Sequence, residues 1–245
     1  MIAVAILCAV LGAVLASFAA VVVVRMPAGV SVIGGRSRCD ACGRTLGVFE
    51  LVPVVSWIAL RGRCRGCGAA IDPLHVQLEI AGATAGALAG ALLPPWLAVA
   101  GTAYAAALLA LAALDLRHFW LPDRITLPLV AVGLAINAVV ERPGLQPSII
   151  GALAAYAVLR LIAVAYRTVR GRDGLGGGDA KLLAAIGAWS GWMSLPFVLT
   201  GACLLGLALV GLDRLRGGAV AADTRVPLGA LLAVAAWPAW LWVVR

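Results

Sequence analysis

The sequence predicts an all-α polytopic membrane protein with about eight transmembrane helices and a small zinc-binding loop. Of the 245 residues, 63% are hydrophobic and 12% are charged, and the mean hydropathy is +1.05. These values lie far outside the range of soluble domains. Several apolar runs reach the roughly 20 residues that a helix needs to cross a bilayer. Four of the 6 cysteines fall in the one sizeable polar segment, which therefore stands apart from the membrane helices.

Apolar runs separated by short polar or proline-containing connections define the predicted helices. The first run has no basic segment before it and is too long for the apolar part of a signal peptide, so we interpret it as a retained helix. Residues 180–212 form one nearly continuous apolar stretch, but Gly191 and Pro196 favour two short helices joined by a tight hairpin. The predicted spans are 2–24, 75–93, 96–114, 125–140, 148–166, 181–193, 196–212 and 227–244.

We expect three parts along the chain. They are a first transmembrane helix at 1–25, a cytoplasmic tetracysteine zinc loop at 26–74, and a seven-helix membrane domain at 75–245 that carries the candidate catalytic residues. We identify no clear internal repeat beyond a general Ala, Leu, Val and Gly bias. The connections predicted to be cytoplasmic are 115–124, 167–180 and 213–226.

The distribution of charge predicts the topology. The net charge is +8, and a cytoplasmic 26–74 loop puts all but three of the 19 Lys and Arg residues on that side. The exceptions are Arg142 and Arg245 outside, and Arg160 within a span. Because basic loops stay in the cytoplasm, we expect both termini to be external. The membrane accounts for the basic charge, so we expect no nucleic-acid partner.

Two CxxC pairs, Cys39/Cys42 and Cys64/Cys67, lie in the polar loop, 21 residues apart and each followed directly by glycine. Paired turns of this kind place four thiolates at the corners of a tetrahedron, as in closed structural zinc sites. A reducing compartment favours zinc over the alternatives, which are two local disulfides or free redox-active cysteines. Metal binding can also supply the folding energy that a small loop lacks. Cys8 and Cys203 lie inside predicted spans and are interpreted as small packed apolar residues.

Two aspartates stand where apolar spans meet cytoplasmic connections. Asp115 closes the third span, and Asp179 opens the sixth after three glycines, 176–178. A carboxylate at a bilayer edge is costly and indicates a functional site. Asp179 could instead cap its helix, but the glycines, which permit close backbone approach and positive φ, exceed what a cap requires. Asp115 could simply emerge from the membrane, although the helix dipole disfavours a carboxylate at a C-terminus. Asp123 precedes an apolar helix and is better explained as a cap.

At one membrane face, Asp115 and Asp179 form a candidate catalytic pair for peptide hydrolysis. Two carboxylates that share one proton titrate apart, so one is a base while the other is an acid. The base would take a proton from water, and the acid would stabilise the oxyanion and assist the leaving amine. The helix dipoles would favour Asp179 as the base and Asp115 as the acid. The roles could exchange, because such protons belong to the pair.

Four further residues are candidates for supporting the site or contacting substrate: Gly176, Gly178, Lys181 and Glu79. Glu79 lies about a turn into the second span, where a carboxylate is expensive unless paired. We expect Glu79 either to contact substrate, cofactor or a buried arginine, or to form a structural ion pair. Lys181 could neutralise the charge of the aspartates, but we prefer the interpretation that its side chain extends toward the membrane surface. No sequence pattern independently indicates a nucleotide-cofactor site.

These motifs resemble the type IV prepilin peptidases, the bacterial leader peptidases for pilin-like proteins, nearly from end to end. The resemblance is carried by Ser17-Phe18, Arg25-Met26-Pro27, the cysteine loop, and the aspartate segments 115–128 and 174–192. A GxGD motif alone would be weak evidence. The cysteine pairs together with both aspartate segments form a highly specific combination.

The resemblance implies an aspartic endopeptidase of the bacterial inner membrane with the catalytic pair Asp115 and Asp179. Its substrates would be prepilins or pseudopilins, cut after the glycine that ends a short basic leader. The apolar substrate helix would remain in the lipid bilayer. Many members also methylate the new N-terminal amine with S-adenosylmethionine, and the alternative is a peptidase without methyltransferase activity.

Two rival functions come from other classes. A membrane-anchored zinc module that recruits a protein would explain the cysteines and the basic loop but would leave Asp115 and Asp179 without a role. A proton-coupled transporter would explain acids in the membrane, but it predicts acids nearer mid-span and broken helices there. The sequence lacks these features, so a peptidase is the preferred function.

Overall fold

The computed structural model describes residues 1–171, 174–217 and 226–245. Parts of two predicted cytoplasmic connections, at 172–173 and 218–225, lie outside the described residues. The described residues form nine α-helices and no β-strand. The helices are α1 (Ile2–Arg25), α2 (Val55–Ala59), α3 (Leu74–Leu92), α4 (Pro95–His118), α5 (Asp123–Asn137), α6 (Leu145–Arg170), α7 (Gly177–Ser190), α8 (Leu195–Leu215) and α9 (Leu228–Val244).

Eight of these helices occupy the predicted spans, and α2 is a short helix within the cysteine loop. The predicted break inside the 180–212 stretch is confirmed, because Gly191 has a φ of +71° and a 3-10 turn at Trp192–Ser194 separates α7 from α8. The C-terminal end of α4 lies further along the chain than predicted, and this difference affects the position of Asp115. Since α4 continues to His118, Asp115 lies inside its last turns rather than just past its end.

Four helical segments are long and apolar enough to cross a membrane by themselves. They are α1, α4, α6 and the segment Trp192–Leu215, and α9 is a shorter apolar helix. The predicted all-α polytopic membrane class is therefore confirmed.

The chain forms two compact units, residues 1–110 and 111–245, with α4 contributing to both. In the first unit α1 packs antiparallel along α3, with their backbones in direct contact. A Cβ at Gly82 would lie 2.4 Å from the carbonyl oxygen of Gly12, and one at Gly86 would lie 2.0 Å from that of Cys8. Gly82, Gly86 and Gly90 follow the GxxxG spacing that allows close helix packing in membranes.

In the second unit α7 lies at the centre and contacts α5, α6 and α9. All of its residues from Leu182 to Ser190 are buried, as expected of a helix that is apolar on every side. The indole N–H of Trp189 donates to the carbonyl of Leu129 at 2.8 Å, and the side-chain amide of Asn137 donates to the carbonyl of Ala188 at 2.8 Å. These bonds fix the C-terminal end of the helix whose first turn carries Asp179.

Candidate active site and metal centre

Asp115 is a buried carboxylate near the end of α4, with 5% of its surface exposed. Its Oδ2 accepts a hydrogen bond from the backbone N–H of Ala230 at 2.9 Å, and the N–H of Gly229 also interacts with the carboxylate. Both N–H groups belong to the first turn of α9, where backbone donors have no partner within the helix. The first turn of α9 therefore stabilises the carboxylate of Asp115, which the dipole of α4 by itself would disfavour.

Asp179 is the third residue of α7 and is half-buried. Its carboxylate reaches back to the backbone N–H of Gly176, the residue that precedes the helix. This contact is one half of a capping box, so the capping explanation describes part of the environment of Asp179. Both aspartates thus meet N–H groups at a helix N-terminus. Because Asp115 also lies in the last turns of α4, the assignment of Asp179 as base and Asp115 as acid stays a prediction.

The structure brings the two aspartates together around Leu121. A Cβ at Gly178 would lie 2.8 Å from the Cβ of Leu121, and one at Gly229 would lie 2.7 Å from its Cδ1 and 3.0 Å from Oδ2 of Asp115. Leu121 therefore packs against Gly178, which precedes Asp179, and against Gly229, whose N–H interacts with the carboxylate of Asp115. The charge of Asp115 also acts on the carboxyl group of Asp179.

The glycines before Asp179 are explained by packing and not by backbone conformation. None of residues 176–178 has a positive φ, so that part of the sequence interpretation is wrong. The expected close approach is present, because Gly178 faces Leu121 and a Cβ at Gly176 would lie 3.0 Å from Oδ2 of Asp179. Gly177 meets nothing within 4 Å.

Lys181 and Asp123 form an ion pair beside the site. The lysine Nζ donates to both carboxylate oxygens of Asp123, at 2.6 and 2.7 Å. Asp123 is the first residue of α5, Pro122 is the N-cap, and no side-chain cap bond is present. The prediction that Asp123 caps the helix is therefore wrong. Lys181 pairs with this carboxylate instead of extending unpaired toward the surface.

Three residues of the site escaped sequence reasoning: Leu121, Gly229 and Ala230. The available signal for the last two was Pro227-Leu228-Gly229-Ala230, which opens the final apolar run next to a connection predicted on the same face as the aspartates. A glycine in a first helical turn exposes backbone N–H groups, which favour an anion. Leu121 carried no comparable signal, because a leucine before a proline is explained equally well by ordinary packing.

The cysteine loop contains two turns of the same construction. In the first, the N–H of Cys39 donates to Arg44 and the N–H of Gly43 donates to Cys39, both at 2.9 Å. In the second, Cys64 donates to Ala69 at 2.8 Å and Gly68 donates to Cys64 at 2.9 Å. The segments 36–46 and 61–71 read RSRCDACGRTL and RGRCRGCGAAI. This local repeat was visible in the sequence, and the expectation of no clear internal repeat is wrong.

The four sulfur atoms fit a tetrahedral metal site. The ligand atoms of Cys39, Cys42, Cys64 and Cys67 all lie within 4.8 Å of one another, and the sulfurs of Cys39 and Cys67 are 3.9 Å apart. A zinc ion with bonds of about 2.3 Å to four sulfurs separates them by about 3.8 Å. Backbone N–H groups of Cys67 and Gly66 lower the pKa of the Cys64 thiol to about 6. At Cys67 the N–H of Ala69 acts in the same direction, but the neighbouring thiols and burial outweigh it and raise the pKa to about 11. The number and spacing of the four sulfurs, and not these opposite shifts, show that the cluster can hold a metal ion.

Arg44 connects the two turns. Its guanidinium pairs with Glu50 and interacts with the sulfur of Cys64, and its Nε lies 2.8 Å from where a Cβ of Gly66 would be. The guanidinium, together with the N–H of Gly47, holds the pKa of the Glu50 carboxyl below its ordinary value. A cation at this position opposes the negative charge of a metal held by four thiolates.

The two remaining cysteines differ from each other. Cys8 is buried against α3, which confirms its interpretation as a packed apolar residue, whereas Cys203 is exposed on α8 and is not packed. Neither belongs to the sulfur cluster.

Glu79 is buried in α3, with 7% of its surface exposed, and has no arginine partner among the described residues. Its Oε1 accepts from the hydroxyl of Ser17 on α1, and its Oε2 accepts from the backbone N–H of Val54 in the cysteine loop, both at 2.7 Å. Two of the alternatives, a structural ion pair and a contact to a buried arginine, are therefore wrong, and Glu79 instead joins α1, α3 and the loop.

The fold and the site define a class of protein, a polytopic membrane protein with a four-cysteine cluster that can hold a metal ion and a pair of aspartates, one buried and one half-buried. Comparison with known proteins narrows this class. Residues 102–211 match the model of the Type IV leader peptidase family, and residues 10–92 match that of the Bacterial Peptidase A24 N-terminal domain. The chain belongs to the type IV leader peptidase family.

Similar proteins are named prepilin leader peptidase/N-methyltransferase. The one from Aeromonas hydrophila is 40% identical over 209 residues, which cover 84% of this chain and 71% of the relative. That from Burkholderia pseudomallei is 42% identical, covering 85% and 67%, and that from Pseudomonas aeruginosa is 37% identical over 207 residues, covering 84% and 71%. No solved structure matches the chain.

Proposed function

We propose that this protein is an aspartic endopeptidase of the bacterial inner membrane in which Asp115 and Asp179 are the catalytic residues. The observation that carries the proposal is that Leu121 packs against Gly178, next to Asp179, and against Gly229, next to the carboxylate of Asp115, while the charge of Asp115 acts on Asp179. Backbone N–H groups at a helix N-terminus lie beside each carboxylate. Membership of the family supports the same assignment.

In the proposed reaction one carboxylate takes a proton from a water molecule, which attacks the carbonyl carbon of the scissile peptide. The other carboxylate, protonated, hydrogen-bonds the developing oxyanion and then gives its proton to the leaving amine. The pair ends the cycle with the same number of protons. The N–H groups of Gly229 and Ala230 would hold Asp115 in position, since they contact its carboxylate.

The proposed substrates are prepilins or pseudopilins with a basic leader and an apolar helix. The charge distribution of the chain supports a topology with external termini and cytoplasmic aspartates. In that arrangement the substrate helix stays in the bilayer while the leader lies in the cytoplasm. The glycine that ends the leader would then reach the aspartates at the membrane face.

The cysteine cluster is proposed to hold a structural zinc ion. The donor set and the sulfur separations fit tetrahedral zinc, and four thiolates leave no position for a catalytic water. The zinc would hold the two turns together, and Cys39, Cys42, Cys64 and Cys67 would be its ligands.

A second candidate activity is methylation of the new N-terminal amine by S-adenosylmethionine. It is favoured by the names of relatives about 40% identical to the chain. Glu79, the residue considered for a cofactor contact, has both carboxylate oxygens engaged by Ser17 and Val54. We therefore assign none of the described residues to that cofactor.

Co-expression with a prepilin tests the proposal. Mass spectrometry of the pilin should show loss of the leader after its final glycine, and methylation would appear as the added mass of one methyl group. A pilin that keeps its leader beside a folded, membrane-inserted enzyme would refute the peptidase assignment. A processed pilin without the methyl group would refute only the second activity.

A further inference from the structure

The segment between the two cysteine turns exposes large apolar side chains. This interknuckle segment, residues 48–59, consists of a 3-10 turn at Val48–Leu51 and of α2. Val48 is 75% exposed, Phe49 90%, and Val55 and Ile58 63% each. Exposed apolar side chains grouped in this way mark a surface that something apolar covers.

Hydrogen bonds to Glu79 fix the level of this segment relative to α1 and α3. Val54, within the segment, donates its N–H to Glu79, and Ser17 of α1 donates to the same carboxylate. At a rise of 1.5 Å per residue, Glu79 lies about 8 Å from the start of α3 and Ser17 about 12 Å from the end of α1. Arg25 is the first charged residue of α1 and marks its emergence from the bilayer. Val54 is therefore held back from the end of α1 and the start of α3, toward the middle of these helices, at the level of the membrane boundary.

The backbone at Val54 shows that this position is enforced. Val54 has φ +62° and ψ −51°, and the N–H of Val55 donates to the carbonyl of Pro53 at 2.6 Å. This is a strained three-residue turn, rare for a β-branched residue. Such a conformation persists only where the surroundings determine it, and here the buried carboxylate of Glu79 accepts the N–H of the strained residue.

The charge of the loop identifies the kind of surface. Residues 25–74 contain seven arginines and three acidic residues. The arginines exposed beside the cysteine turns are Arg36, Arg38, Arg61, Arg63 and Arg65. Exposed arginines that flank an exposed apolar segment along the chain suit anionic lipid headgroups above acyl chains.

We propose that the interknuckle segment inserts Val48, Phe49, Val55 and Ile58 into the boundary between headgroups and acyl chains of an anionic bilayer. The cysteine module then lies on the membrane surface, with its arginines at the lipid phosphates. Glu79 sets the depth of insertion through Val54. The partner is lipid, and this inference does not depend on the proposed peptidase activity.

Site-specific photo-crosslinking tests the insertion. The photoreactive amino acid p-benzoylphenylalanine replaces Phe49 or Ile58 in the full-length protein, and it replaces Ala41, an exposed residue of the first cysteine turn, in the matched control. Each variant is reconstituted in nanodiscs of phosphatidylethanolamine and phosphatidylglycerol, with and without a prepilin, and irradiated. Mass spectrometry then counts lipid and protein adducts. Zinc content confirms that the module is folded.

We expect lipid adducts severalfold more frequent at positions 49 and 58 than at position 41. Equal lipid yields at the three positions, in protein that retains zinc, would overturn the proposal. Adducts from position 49 chiefly to the prepilin, or to a second copy of the chain, would also overturn it, because the apolar surface would then serve a protein. Replacing Glu79 by alanine should lower the lipid yield at position 49 while leaving position 41 unchanged.

Discussion

In the cysteine module each turn is positioned by hydrogen bonds between residues that are close in the chain, whereas the aspartates come from α4 and α7 and meet through packing. Cys39 and Cys64 occupy the same backbone environment in two copies of one motif. Asp115 and Asp179 have different environments, and their proximity depends on Leu121 and on the first turn of α9. A locally built site depends mainly on its own ligands. A site assembled from distant helices also depends on residues that touch no substrate.

Replacing either aspartate by asparagine should have the largest effect on activity and none on the metal module. Asp115→Asn and Asp179→Asn each remove a group that must exchange protons, a contribution of about 10²–10⁴-fold, so leader cleavage should fall below detection. Leader loss is measured by pilin mass, and zinc is measured in the same purified protein. Full activity in either variant would end the proposed mechanism. Loss of zinc would show that the two sites are not built independently.

Replacing one of the four proposed zinc ligands should prevent the cysteine module from binding the metal. Cys64→Ser should lower bound zinc from one per chain to a small fraction, since apparent zinc binding in small folded modules is worth about 10–16 kcal/mol and the serine hydroxyl is a poor substitute for thiolate. Cys203→Ser, at an exposed cysteine outside the cluster, is the matched control and should keep full zinc. The metal is quantified by mass spectrometry of the purified protein. Zinc retained by Cys64→Ser at the level of the control would exclude the tetrathiolate site.

The same contrast explains what the sequence could predict. The helices, the break at Gly191 and the cysteine cluster follow from apolar run length, turn residues and ligand spacing, which are local properties. Asp115 and Asp179 were identifiable because a carboxylate at a membrane edge needs an explanation. The N–H donors of α9, the contact of Leu121 and the pairing of Lys181 with Asp123 depend on how helices pack. The glycine that opens the last apolar run hinted at the N–H donors, but no local pattern encodes which groups each of these residues contacts. The GxxxG spacing of α3 and the repeat in the cysteine loop were readable and were overlooked.

Adding one methyl group at Gly178 should disturb the aspartate pair without touching a catalytic group. In Gly178→Ala the new Cβ would lie 2.8 Å from Leu121, so α7 or Leu121 must shift. A displacement near 1 Å can cost about 10²-fold in rate, and we expect a loss of roughly that order. Gly177→Ala adds the same group where nothing lies within 4 Å and should cleave nearly as well as the unaltered protein. Equal rates for the two variants would mean that Leu121 does not position the pair.

Removing the cation beside the sulfurs should weaken zinc binding moderately. Arg44→Gln keeps much of the side-chain volume but loses the charge that faces Glu50 and Cys64. Groups that support metal ligands typically change affinity about 10- to 100-fold. Competition with a chelator gives the relative affinity, and Arg36→Gln, at an exposed arginine before the first turn, is the control. Identical affinities in the two variants would make Arg44 a surface residue with no role in the metal site.

The smallest effect is expected from the ion pair between Lys181 and Asp123, although it lies near the proposed catalytic centre. Lys181 is bonded to both oxygens of Asp123 and not to Asp179, and the side chains are 32% and 54% exposed. An exposed pair of this kind is worth at most about 1 kcal/mol in stability. Lys181→Met and Asp123→Asn should therefore each cleave prepilin within a few-fold of the unaltered protein, and the double variant should lose no more than the larger single effect. A different result would be that Lys181→Met cleaves as poorly as Asp179→Asn while Asp123→Asn remains active. The charge of Lys181 would then be needed although its partner Asp123 is not. In that case the lysine acts on the substrate or on the catalytic carboxylates. The two single variants thus distinguish a lysine that only links α7 to α5 from a lysine that takes part directly in the reaction.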